Sequence, residues 1–141
     1  MRVNQEFAVA VHALLMLDCL KDEKVTSEQI AESAGCNPTN VRKIFKKLTE
    51  AKLVITKSGK GKTVLARPAE KITLWDIYAA VEPDCEGDVF RVQRETSSTC
   101  QVGARVPKLL APHLAQVVDA MREEMSAVTL AQLSEELKEI N

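Results

Sequence analysis

Apolar residues recur every three or four positions through Phe7, Ala10, Val11, Leu14, Leu15 and Leu17, which predicts an amphipathic helix over about residues 4–20. A polar loop, KDEKV, follows. Thr26 then stands three residues before Gln29, the spacing of a capping box, and opens a short helix, SEQIAESA. Gly35 supplies the left-handed residue that ends such a helix. Asn37 and Pro38 start the next one as cap and first helical residue. That helix sets Val41, Ile44, Phe45 and Leu48 on one face and Arg42, Lys43, Lys46 and Lys47 largely on the other.

The period then changes. Residues 53–56 and 63–66 read as short strands around a glycine-containing turn over 57–62. Residues 73–81 return to helical spacing, with Leu74, Ile77, Tyr78 and Val81 on one face. Trp75 and Tyr78 are expected to anchor this helix to the domain. Residues 83–99 carry no sustained pattern and read as a loop. Leu109, Leu110, Leu114, Val117, Val118, Met121 and Met125 mark a long helix, in which Pro107 restarts the chain and Pro112 is expected to kink or loosen the first turns. Thr129 caps a last helix, LAQLSEELKEI. The fold class is mostly α with a small β-hairpin.

Composition adds two exclusions. The longest apolar stretch, Ala8 to Leu17, contains His12 and is too short to span a bilayer, and no signal-peptide pattern surrounds it, so the expected location is cytoplasmic. Cys19, Cys36, Cys85 and Cys100 form no CxxC pair, which argues against a zinc site or a secreted disulfide scaffold. The net charge of −1 conceals a strong asymmetry. Residues 37–67 hold nine Lys or Arg against one acid, a local +8, and the rest of the chain has ten basic and 19 acidic residues, or −9. A basic stripe on an acidic chain is the footprint of a polyanion-binding surface.

Gly61-Lys62-Thr63 could end a nucleotide-binding phosphate loop. Such a loop needs glycine five residues before the Gly-Lys pair and a helix after it, but Thr56 occupies the first position and a strand follows. An enzyme acting on nucleotides is therefore set aside. Two short helices joined by a glycine turn, the second of them basic, make a helix-turn-helix, and the basic hairpin after it makes the module a winged one. The expected partner is double-stranded DNA. Thr39 and Asn40 lie at the start of the second helix, where base edges come within reach, with Arg42 and Lys43 one turn on. Arg42 suits guanine and Asn40 suits adenine. Lys46 and Lys47, and Lys57, Ser58, Lys60 and Lys62 of the wing, are assigned to phosphates. A winged helix used as a protein–protein adaptor is the alternative of another class.

The run VTSEQIAESAGCNPTNVRKIFKKLTEAKLV, the wing and then LARPAEKITLWDIYAAVE resemble the Rrf-two family of bacterial transcription regulators, closely over about residues 1–82. The resemblance implies a homodimer of winged helices that binds a pseudo-palindromic operator, usually as a repressor. It also implies that Arg2 and Asn4 approach the DNA backbone. The corresponding organisation is a DNA-binding domain over 1–82, a loop over 83–99 and dimerisation helices over 100–141. Two features depart from the family. The wing has fewer glycines and lacks an aromatic residue, and Arg42 stands where better-known members often carry Glu or Gln, so their operators do not transfer.

Family members that sense iron, oxygen or nitric oxide hold an iron–sulfur cluster on three closely spaced cysteines before the dimerisation helix. Here that region offers only Cys85 and Cys100, with fourteen residues between them, so no cofactor is expected. A cluster-sensing or small-ligand-sensing regulator remains the alternative. Cys36 is expected to pack. Cys100 is the sensor candidate, with Cys85 second. If Ser98 or Thr99 caps a helix, Cys100 falls in its first turn near Arg105, where the thiolate is favoured and reacts with oxidants or electrophiles.

Overall fold

Local capping chemistry sets the helices of the N-terminal half. The computed structural model describes residues 5–57, 61–82 and 95–140. Helix α1 (Gln5–Cys19) buries Ala10, Ala13, Leu14 and Leu17, one stripe at helical spacing. Helix α2 (Ser27–Ala34) opens on a complete capping box. The Thr26 hydroxyl accepts from the Gln29 N–H at 3.1 Å, and the Gln29 side chain accepts from the Thr26 N–H at 2.9 Å. Gly35 closes it at φ +69°, with open space around its Cα, so backbone conformation alone calls for glycine there. In α3 (Pro38–Glu50) the Asn37 side chain accepts from the Thr39 N–H at 2.8 Å, and Pro38 occupies the first turn.

The hairpin pairs β1 (Val54–Lys57) with β2 (Lys62–Leu65), from Val54 opposite Leu65 to Lys57 opposite Lys62. The ladder reaches one residue nearer the tip than the hydrophobic pattern predicts. Lysines carry no strand signature, yet their backbones pair. A 3₁₀ turn (Ala69–Lys71) leads to α4 (Leu74–Val81). This helix begins with a second capping box, between Thr73 and Asp76 at 3.1 and 2.9 Å. Its aromatics are anchors: Tyr78 is buried edge-on to Phe7 of α1, ring centroids 5.7 Å apart, and lies 5.6 Å from Trp75.

Helix α5 (Val106–Ser126) has Pro107 in its first turn and continues through Pro112, where the pattern predicts a kink or loosened turns. Proline there removes the single bond to the Lys108 carbonyl, and helical residues follow on both sides. The C-terminal half of α5 meets α4, where the Arg122 guanidinium lies 5.5 Å from the centre of the Trp75 ring.

Helix α6 (Leu130–Glu139) lies elsewhere than the sequence grouping implies. The residues before it run beside those before α4: the Leu74 N–H donates to Val128 at 3.0 Å, and the Leu130 N–H donates to Ile72 at 2.8 Å. Leu130 is fully buried in the main core with Leu14, Ile44, Leu48, Leu53, Ile72 and Ile77. Buried Ser134 donates to the Asp18 carboxylate at 2.6 Å. Helix α6, grouped with α5 from the sequence, thus contributes Leu130 to the core of the N-terminal module. Periodicity reveals an apolar stripe but not which element covers it. A second cluster, Ala13, Ile30, Ala31 and Val41, fastens α2 and α3 to α1, with Cys36 packed against it.

Candidate nucleic-acid interface

Val41, Ile44 and Leu48 sink into the cores and fix the rotation of α3, which leaves Thr39, Asn40, Arg42, Lys43 and Lys46 exposed along its opposite side. These are five of the six α3 residues assigned to DNA from the sequence. Arg42 donates from Nη2 to Glu28 Oε1 of α2 at 2.6 Å. The Glu28 carboxyl is held below its usual range first by its own backbone N–H, then by the bond from Arg42, with a further contribution from Thr26.

Lys47 is placed differently. Its ammonium donates to Glu6 of α1 at 2.8 Å and to the Val81 carbonyl of α4 at 3.3 Å. Three residues beyond Ile44, it borders the buried face, and so it braces three helices rather than standing with the outward cations.

Lys57 closes β1 opposite Lys62. Arg2, Ser58, Lys60 and Cys85, assigned from the sequence, lie outside the described residues. Lys62 donates to the backbone carbonyl of Lys21 at 2.8 Å, which ties the wing to the turn after α1 and leaves its ammonium two further donors. The same packing brings Lys24 to the wing. A Cβ on Gly61 would lie 4.0 Å from Lys24 Nζ. Exposed Lys24 thus extends the basic edge, and sequence reading missed it because only the fold carries that loop to the hairpin.

Exposed Cys100 lies before α5, not in a helical first turn. The cap differs as well: Ser97 Oγ, rather than Ser98 or Thr99, accepts from the Cys100 N–H at 3.3 Å. Residues 101–105 form turns, and α5 begins only at Val106. The sulfur still accepts from the Gly103 N–H at 3.4 Å. The Gly103 amide and then the Val102 amide hold the thiol below its ordinary pKa, local donors replacing the helix terminus and Arg105 invoked from sequence. Cys19 is exposed and Cys36 half-buried.

A basic helix held outward by its own core, followed by a wing fastened to the same module, defines a winged helix-turn-helix regulator. The Rrf2 family model, described as iron-dependent transcriptional regulator, matches residues 3–136, and the chain belongs to that family of regulators rather than to the enzymes. YwnA of Bacillus subtilis (strain 168), named an HTH-type transcriptional regulator, is 30% identical over 91% of this chain and 93% of its own. Among solved structures, a transcriptional regulator from Lactobacillus plantarum is 25% identical with a TM-score of 0.76, covering 94% of this chain and 89% of that one. CymR, the global cysteine regulator of B. subtilis, shares the fold at 18% identity and a TM-score of 0.69, over 96% of this chain and 97% of its own.

The family description raises the question of iron. Among the described residues no three His, Cys, Asp or Glu side chains gather where they could hold a metal ion.

Proposed function

We propose that the protein acts in the cytoplasm as a homodimeric repressor on a pseudo-palindromic operator in double-stranded DNA, without a resident cofactor. The observation that carries this reading is the outward row Thr39, Asn40, Arg42, Lys43 and Lys46 on a helix whose other face is locked in the core. Asn40 and Arg42 suit base edges, whereas Lys43, Lys46, Lys24 and the wing lysines suit phosphates. Two such modules related by a two-fold axis read half-sites about one helical turn apart, and a dimer seated over a promoter excludes polymerase. The apolar ridge of α5 supports the dimer: Leu109, Leu110 and Val117 are exposed. Among the described residues no helix is long and apolar enough to cross a membrane.

Cys100 supplies the signal in this reading. An exposed thiol beside two amide donors is favoured as thiolate, and its modification at the base of the dimerisation helix releases DNA. Footprinting across the protein's own promoter, with and without diamide, tests both halves. The expected result is a symmetric protected region that disappears on oxidation and persists in Cys100→Ser. Absence of protection at low salt, where phosphate contacts are strongest, refutes DNA binding. Protection unchanged by diamide refutes the switch alone.

A further inference from the structure

Arg42 and Glu28 join the two helices of the helix-turn-helix through a contact of 2.6 Å, at the short end for a charge-assisted bond. The two partners are not equally free. Glu28 lies in the first turn of α2, whose start is locked by the capping box between Thr26 and Gln29. Arg42 reaches this fixed point from the outward face of α3. One of its five N–H donors is engaged, leaving donors for a planar, bidentate partner. More than half of each side chain is exposed, so the pair adds little to folding stability. Its consequence is directional: a guanidinium already oriented loses less rotamer freedom when it meets a base. The carboxylate also sets a negative charge inside a basic surface, where it opposes indiscriminate phosphate binding.

We propose that Glu28 is a positioning residue that holds the Arg42 guanidinium in the orientation that reads guanine and penalises binding without regard to sequence. This rests on the reading of Arg42 as a base contact.

The test is selection from a pool of double-stranded DNA with a randomised core, followed by sequencing, for wild-type protein, Glu28→Gln, Arg42→Ala and the double variant. Arg42→Ala is expected to lose preference at one base pair per half-site, by about fivefold or more, the discrimination of a bidentate contact. Glu28→Gln is expected to flatten preference at that same pair while binding random DNA more tightly at equal salt. The double variant is expected to match Arg42→Ala at that position. Glu28→Ala repeats the comparison without a side-chain hydrogen bond. Preference in both Glu28 variants identical to wild type overturns the proposal, as does flattening at every position with a lowered melting temperature. Failure of the wild type to enrich any sequence overturns instead the DNA-binding reading beneath it.

Discussion

At the scale of single residues, Lys46 and Lys47 are adjacent and chemically alike but have different surroundings. Exposed Lys46 is expected to act through phosphate, so Lys46→Ala should weaken binding to all DNA sequences alike and reduce the salt slope by about one. Lys47 joins Glu6 and Val81. Lys47→Ala is therefore expected to lower the thermal midpoint while leaving the slope close to wild type. Measuring affinity at several salt concentrations, with a melt of each variant, separates the two. Both lysines follow the same helical pattern, which makes them look equivalent in the sequence; only the neighbouring helices divide them. Cys100 shows a similar limit. The sequence offered a helix terminus and Arg105 as the source of a favoured thiolate, whereas the donors are the Gly103 and Val102 amides of a turn that has no sequence signature. A lowered thiol pKa raises the thiolate fraction most between that pKa and the ordinary one. In a variant with Cys19, Cys36 and Cys85 replaced by serine, the alkylation rate of Cys100 should rise through a midpoint below the value of about 8.5 for a free cysteine. A midpoint at or above that value contradicts the assignment.

At the scale of elements, the helices with chemical punctuation were the readable ones. Thr26 with Gln29, Gly35, and Asn37 with Pro38 mark the ends of α2 and α3 by hydrogen bonds and backbone angles that require those residues, and the structure places the boundaries there. The hairpin was readable too, though its ladder ends on lysines that periodicity assigns to the turn. The destination of α6 was not readable. Its Leu130 packs against residues more than fifty positions earlier, a pairing that no local pattern encodes. Leu130→Ala is accordingly expected to destabilise the DNA-binding module itself by about 2–5 kcal/mol, the cost of truncating a fully buried leucine. Chemical denaturation followed by the fluorescence of Trp75, which lies on α4, reports on that module. A loss confined to subunit association, with an unchanged unfolding midpoint, would instead assign α6 to dimerisation.

At the scale of the whole molecule, the winged module and α5 place different demands on the chain. The module closes its own core with help from α6, and the C-terminal half of α5 rests on α4 through Trp75 and Arg122. The preceding half of α5 keeps Leu109 and Leu110 uncovered, and Val117 extends the same apolar ridge. Leu110, Leu114, Val117 and Met121 follow a 4-3-4 spacing that suits a two-fold contact with the same ridge on a second copy. Leu110→Glu with Val117→Glu places charge at the centre of that contact without touching α3 or the wing. The double variant is expected to run as a monomer by light scattering and to melt near the wild-type temperature. It should bind an isolated half-site as wild type does, but bind the full palindrome at least tenfold more weakly, because two linked modules gain from each other's proximity and a single one does not. A variant that remains dimeric and keeps its palindrome affinity places the two-fold axis elsewhere. In that case the proposed switch at Cys100, six residues before α5, loses the contact through which it was to act.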